Sequence, residues 1–155
     1  MAGWITPLAA LAAARVDPPA RTHRLLPHLA DDAGLPWGLD LALTVTVNGT
    51  VVSRPPFPAM YWTGPQLLAH LTSNGAALRT GDLLASGTVS GPAPDQAGSL
   101  LELSVDGTRP IPLADGTTRT FLADGDAVTI AATAPSTGGG RLTLGEVTGT
   151  VVPAT

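Results

Sequence analysis

The chain has 155 residues, 44% of them hydrophobic and 13% charged, with a formal net charge of -4 at pH 7. That length fits one domain able to hide about two-thirds of its unfolded surface. Without cysteine there are no disulfides, thiolate metal sites or cysteine nucleophile; without lysine there is no Schiff-base chemistry; and eight scattered arginines leave no basic footprint for nucleic acid.

The first element is the Ala-rich run from Leu8 to Ala14, which reads as a short helix or turn. No basic residue precedes it and Pro7 interrupts its start, so it is not a signal-peptide core. No apolar run in the chain approaches the roughly 20 residues that span a bilayer, and the default compartment is the cytoplasm. A Pro-rich segment covers Asp17 to Pro36. Leu39 to Val47 then alternates as a strand, with Leu39, Leu41, Leu43, Val45 and Val47 on one face and Asp40, Ala42, Thr44 and Thr46 on the other. Asn48-Gly49 marks a tight hairpin, and Thr50 to Ser53 returns until Pro55-Pro56 ends the strand.

One helix is expected from Gly64 to Ser73. Thr63 caps it, Pro65 fits its first turn, Leu67, Leu68 and Leu71 form its stripe, and Asn74-Gly75 stops it. Leu83 to Ala85 form a short apolar run bounded by glycines, which predicts burial before the chain emerges at Thr88. Strands are expected over Leu100 to Val105, Thr118 to Leu122 and Ala127 to Ala132, separated by Asp106-Gly107, Asp115-Gly116 and Asp124-Gly125 turns. Gly138 to Gly140 form a loop before a last strand pair near Arg141 to Val152. With 15 prolines, 18 glycines and no repeat of constant period, the pattern is mainly β: a roll or sandwich with one short helix.

Two residues are candidates for chemistry. Glu102, expected inside an apolar strand on the side of Leu100 and Ser104, is either a solvated strand carboxylate or a buried and paired one. Thr88, expected on the neighbouring strand, is either a turn threonine or a ligand contact, with Gly87 and Gly91 letting backbone N–H groups approach an anion. His23, His28 and His70 have no acidic neighbours at metal-ligand spacing and read as solvated or structural. Asp124-Gly125-Asp126 opens like a calcium loop but lacks its later ligands, so it reads as a turn; the adjacent Asp31-Asp32 side chains point apart. Gly138-Gly139-Gly140-Arg141 lacks the end of a phosphate loop.

Met60-Tyr61-Trp62-Thr63, Asn74-Gly75, the run from Arg79 to Pro92, Gly98-Ser99-Leu100-Leu101-Glu102-Leu103 and Phe121-Leu122-Ala123-Asp124-Gly125-Asp126 resemble, in this order, the fumarylacetoacetase family. The resemblance is closest from Pro56 to Ala131 and returns from Gly145 to Ala154. It implies residues 1–155 as the C-terminal portion of a catalytic domain of β-roll type. It also implies a hydrolase of a carbon–carbon bond in a 1,3-diketone acid, giving fumarate and acetoacetate at the last step of tyrosine and phenylalanine breakdown. In such a site magnesium or calcium chelates the diketone oxygens, and a histidine oriented by the glutamate at Glu102 activates water. Thr88 matches a substrate-binding threonine, and His70 matches a helix histidine that is not catalytic. Metal-binding carboxylates, catalytic histidine and N-terminal domain fall outside the matched stretch, so near-inactivity is expected of the chain alone. The family implies a homodimer, or here completion by a complementary N-terminal half. The alternative reading is a truncated, non-catalytic β-rich binding or scaffold module.

Overall fold

A computed structural model describes residues 2–30 and 34–154, so the Asp31-Asp32 pair lies outside the described residues. The elements in chain order are β1 (Arg15–Val16), β2 (Gly38–Leu39), β3 (Ala42–Val47), β4 (Thr50–Ser53), α1 (Gly64–Thr72), α2 (Leu100–Leu103), β5 (Ile111–Pro112), β6 (Thr118–Arg119), β7 (Ala127–Pro135), β8 (Arg141–Thr143) and β9 (Val147–Thr150). The chain is mainly β, as expected, with two α-helices rather than one and a 3-10 helix over the Ala-rich run Leu8–Ala14.

The principal sheet is antiparallel in the order β4-β3-β7, with β8 and β9 lying along different stretches of the far edge of β7. Its central pairing sets Leu43 opposite Ala132, Val45 opposite Ile130 and Val47 opposite Val128. Because side chains alternate, these residues share one apolar face, and Thr44, Thr46, Thr129 and Thr133 occupy the other. On the threonine face the Thr129 and Thr148 hydroxyls meet at 2.9 Å, and Arg141 Nε donates to Thr133 Oγ1 at 3.0 Å. The apolar face is covered at one end by the Leu8–Ala14 helix, where Leu11, Ala14, Leu41 and Ala134 form the buried core with Phe57 and Leu142 against it. At the other end α2 lies across it.

The Asn48-Gly49 hairpin forms as read: φ is 48° at Asn48 and 76° at Gly49, the pair of positive values that a two-residue turn of the right twist requires. The expected continuous strand from Leu39 to Val47 is divided. β2 pairs with β1, Asp40 N–H donates to Ala14 O at 2.7 Å, and the chain bends so that Leu41 enters the core before β3 begins.

Helix α1 follows its local signals. Thr63 and Gln66 exchange hydrogen bonds as a capping box, and Gly75, at φ +89°, donates to Thr72 O at 2.9 Å where the helix ends. Gln66, 3% exposed, also donates to Leu29 O at 3.0 Å and accepts from Arg21 NH2 at 2.8 Å. The Arg21 guanidinium lies 4.6 Å from the Tyr61 ring centre and 5.4 Å from that of Trp62. These contacts hold the otherwise irregular Pro-rich segment against α1.

Two strand expectations and one expectation of burial do not hold. Leu100 to Val105 is helical over Leu100–Leu103, because Ser99 accepts from Glu102 N–H as an N-cap and Leu100 and Leu103 face inward one helical turn apart. Thr118 to Leu122 is a strand only over Thr118–Arg119, after which the chain bends to form the Asp126 turn. The run Leu83 to Ala85 is exposed, Leu83 by 77% and Leu84 by 51%, since no described element covers it. The chain exposes 9992 Å². A compact chain of its 15.6 kDa exposes about 7,200 Å².

Candidate functional site

Neither candidate residue stands on a strand. Thr88 lies in an irregular, unpaired stretch, and Glu102 lies in the first turn of α2; the strand expectation failed for Glu102 because the Ser99 cap selects a helix. The structure nevertheless brings them to one locus through Ser90 and Gly98. Ser90 Oγ donates to Glu102 Oε2 at 2.9 Å and itself accepts from Gly98 N–H at 3.0 Å. Ser99 Oγ donates to the same Oε2 at 2.8 Å. Two hydroxyls on one oxygen favour the charged form, and the Ser99 and then the Ser90 hydrogen bond hold the Glu102 carboxyl below its ordinary range. Backbone hydrogen bonds from Ser99 and Gly98 act in the same direction.

Gly98 fixes the distance between the two segments. A Cβ at this position would overlap the Val89 carbonyl oxygen and lie 2.8 Å from Thr88 Cγ2, so the 88–90 backbone packs directly on the glycine. Gly91 N–H then donates to Gln96 O at 3.0 Å. Gly98→Ala is expected to destabilise the chain by about 1–3 kcal/mol, the usual range for an overpacked site, and to displace Thr88 and Ser90. A urea titration measures the first effect, and a Glu102 titration curve that no longer depends on Ser90 would reveal the second.

The C-terminal end of α2 is clamped by a feature the sequence reading passed over. Val105, Asp106 and Gly107 all have positive φ, at 49°, 54° and 77°. For a β-branched residue such as Val105 that conformation costs about 1–3 kcal/mol, and the surroundings must impose it. They do so through Asp106 N–H to Leu101 O at 2.8 Å, Arg109 N–H to Ser104 O at 2.7 Å, and Gly107 N–H to the Oγ of fully buried Ser104 at 3.0 Å. Leu100 and Leu103, with Val45, Val47 and Ile130 opposite, line a cavity of about 180 Å³ under the helix, and Ser99 stands at its rim. Glu102 is therefore exposed on a helix fixed at both ends.

The carboxylate, being ionised and anchored on one oxygen, can accept an N–H from a cationic or neutral ring on the other. Removing either donor weakens that anchoring. Ser90→Ala and Ser99→Ala are each expected to raise the Glu102 pKa toward the ordinary carboxylate value, with the larger rise for Ser99→Ala, as a ¹³C titration of the Glu102 carboxyl would read. An unchanged titration in both variants would remove the serines from this role.

Other candidates stay apart from this locus. His23 stacks on Tyr61 with ring centres 6.3 Å apart, His28 sits in the 3-10 turn Pro27–Leu29, and His70 lines an apolar groove of about 430 Å³ beside α1 with Trp62, Leu67 and Leu71. None hydrogen-bonds Glu102. Among the described residues no three His, Asp or Glu side chains gather as a metal-binding group. The described residues do not fit the magnesium or calcium ion that the resemblance implies. Asp126, read as a turn residue, does close a turn, but it is also 2% exposed and held by Arg119 Nε at 2.8 Å and NH2 at 2.9 Å, Asn48 Nδ2 at 2.7 Å and Ala123 N–H at 2.8 Å. Asn48 Oδ1 in turn accepts from Ala127 N–H at 2.8 Å. No helix among the described residues is long and apolar enough to cross a membrane.

Comparison with known proteins bears on what the locus does. The family model described as fumarylacetoacetate (FAA) hydrolase C-terminal matches residues 1–152. Fumarylacetoacetase of Homo sapiens is 43% identical over 157 residues, covering 97% of this chain and 37% of that protein. Those of Arabidopsis thaliana and Dictyostelium discoideum are 40% and 33% identical, each covering 97% of this chain and 36% of the relative. The chain thus spans little more than a third of the length of the curated relatives it matches.

Proposed function

The chain belongs to the fumarylacetoacetate hydrolase family, and from that membership we propose that it supplies the C-terminal share of a carbon–carbon bond hydrolase. The substrate in this reading is a 1,3-diketone acid, fumarylacetoacetate, cleaved to fumarate and acetoacetate in tyrosine and phenylalanine breakdown. The observation that carries it is the ionised Glu102 carboxylate, held by Ser90 and Ser99 on one oxygen beside the glycine-packed Thr88 segment. Glu102 accepts the N–H of an imidazole brought from outside the described residues, which fixes the ring tautomer and stabilises its cation as it takes a proton from water. Thr88, exposed with Gly87 in a positive φ of 82°, meets the carboxylate end of the substrate. A homodimeric assembly, residence in the cytoplasm and, with its ligands supplied from outside the described residues, a dependence on magnesium or calcium belong to the same proposal.

The test is hydrolysis of fumarylacetoacetate, followed as loss of its ultraviolet absorbance with magnesium or calcium present. The chain combined with the remaining length of a fumarylacetoacetase is expected to turn over substrate, and the chain alone to show almost none. No turnover by the combination would overturn the hydrolase reading and favour a β-rich binding module. Turnover by the chain alone would place a working base within this chain and reassign the role of Glu102.

A further inference from the structure

Thr88 and Ser90 stand two positions apart on one backbone segment, and both side chains reach Gly98. A Cβ on that glycine would lie 2.8 Å from Thr88 Cγ2, and Gly98 N–H donates to Ser90 Oγ at 3.0 Å. The loop that carries Gly98 is itself fastened. Arg54 N–H donates to Asp95 O at 2.7 Å, Ser53 Oγ donates to Ala97 O, and Gly91 N–H donates to Gln96 O at 3.0 Å, which ties residues 91–98 to the end of β4. The 88–90 segment belongs to no helix or strand, so its position depends on what its side chains hold.

The two serines on Glu102 are not equivalent. Ser99 is the N-cap of α2 and meets a carboxylate three positions on, a contact within the helix start that moves with the helix. Ser90 reaches Glu102 from a different segment, 12 positions away, and its hydroxyl is used twice: as donor to Oε2 at 2.9 Å and as acceptor from Gly98 N–H. A hydroxyl carries a single proton, so these two bonds fix both its rotor and its place. A hydrogen bond to an ionised carboxylate is roughly twice as strong as a neutral one, so the charge on Glu102 draws the segment in.

We propose that Ser90 is a positioning residue with two dependants: it orients Glu102 toward the imidazole that the carboxylate serves, and through the same hydrogen bond it holds Thr88 where the substrate is met. Ser99 has only the first task. One side chain thereby sets Glu102 and Thr88 relative to each other, and its loss reaches both binding and turnover. The roles of Glu102 and Thr88 come from the hydrolase reading, on which this inference rests; the link between them comes from geometry alone.

Two measurements test the roles and the link separately. The first is steady-state kinetics of the chain combined with the remaining length of a fumarylacetoacetase. Ser90→Ala is expected to lower kcat by about tenfold and to raise KM by about fivefold, whereas Ser99→Ala lowers kcat and leaves KM within about twofold of the parent. Ser90→Thr, which keeps the hydroxyl, should restore most of both. In a Thr88→Val background the KM effect of Ser90→Ala should fall below about twofold, because both changes act through one contact. The second needs no substrate: the Thr88 methyl resonance of the chain. It is expected to follow the Glu102 titration with the same midpoint, to stop following it in Ser90→Ala and to keep following it in Ser99→Ala, while Glu102→Gln flattens the curve and so assigns the midpoint. A KM unchanged by Ser90→Ala, or a methyl that tracks Glu102 equally in Ser90→Ala and the parent, would overturn the proposal. Tracking as expected, beside an assembly that turns nothing over, would leave the link standing and overturn only the hydrolase reading.

Discussion

Asp126→Asn is expected to lower the thermal midpoint of the chain by roughly 10 °C, the scale for breaking a buried charged pair in a domain of this size. The carboxylate accepts four hydrogen bonds, two from Arg119, one from Asn48 and one from Ala123 N–H, while 2% exposed. Asparagine keeps the shape but turns one acceptor oxygen into a donor that faces donors, and it leaves the Arg119 guanidinium without its counter-charge. The pH dependence carries a sign. The Arg119 hydrogen bonds, then those from Ala123 and Asn48, hold the Asp126 carboxyl far below its ordinary range. Its contribution is therefore fully present above the unfolded value, about pH 4, and is lost only as pH falls toward the depressed folded value. Thermal melts at pH 7 and pH 3 read both effects, and the difference between parent and variant should narrow at the acid end. Equal midpoints at pH 7 would show that the buried pair contributes nothing net.

Glu102→Gln is expected to reduce kcat of the assembled hydrolase by roughly 100- to 10,000-fold with a much smaller change in KM, since the amide keeps the shape but neither stabilises an imidazolium nor holds its tautomer. Thr88→Val is expected to do the reverse, raising KM by roughly tenfold as a hydrogen bond to substrate is lost. The contrast separates the two roles. Steady-state kinetics on the full assembly measures it, and indistinguishable kcat values for parent and Glu102→Gln would remove the carboxylate from the chemistry. Because Ser99 and Ser90 keep Glu102 ionised below the ordinary range, the acid limb of the kcat profile should move to higher pH in Ser99→Ala.

Elements governed by neighbouring residues were legible in the sequence. The Asn48-Gly49 turn, the Thr63 cap of α1 and the Thr/Val alternation of β3 depend on side chains within a few positions, and the structure has them where they were read. Ser99-Leu100-Leu101-Glu102 carried an equally local signal, a serine three residues before a glutamate, that announces a helix start and overrides the apparent alternation of a short apolar run. The burial expected of Leu83 to Ala85 failed for a different reason: apolar sequence states what a segment favours, and only an opposing surface can satisfy it. Asp126 was legible as a turn and illegible as an anchor, because Asn48 stands 78 positions away along the chain. The clasp on Glu102 lies between these cases. Ser99 is local, whereas Ser90 reaches it only because Gly98 lets two backbone segments touch.

The pairing of β3 with β7 also sets a timetable. Val47 and its partner Val128 enclose a loop of roughly 80 residues, so the first hairpin cannot be completed into a sheet until most of the chain exists. At a synthesis rate of about 5–20 residues per second, the hairpin waits roughly 4 to 16 s on the ribosome with its valine face uncovered. Asn48 can be fastened to Asp126 only at the end of that wait, which makes the turn that forms earliest one of the last to be secured. The nascent chain is thus most exposed to misassociation in the interval when its best-formed element has nothing to rest against.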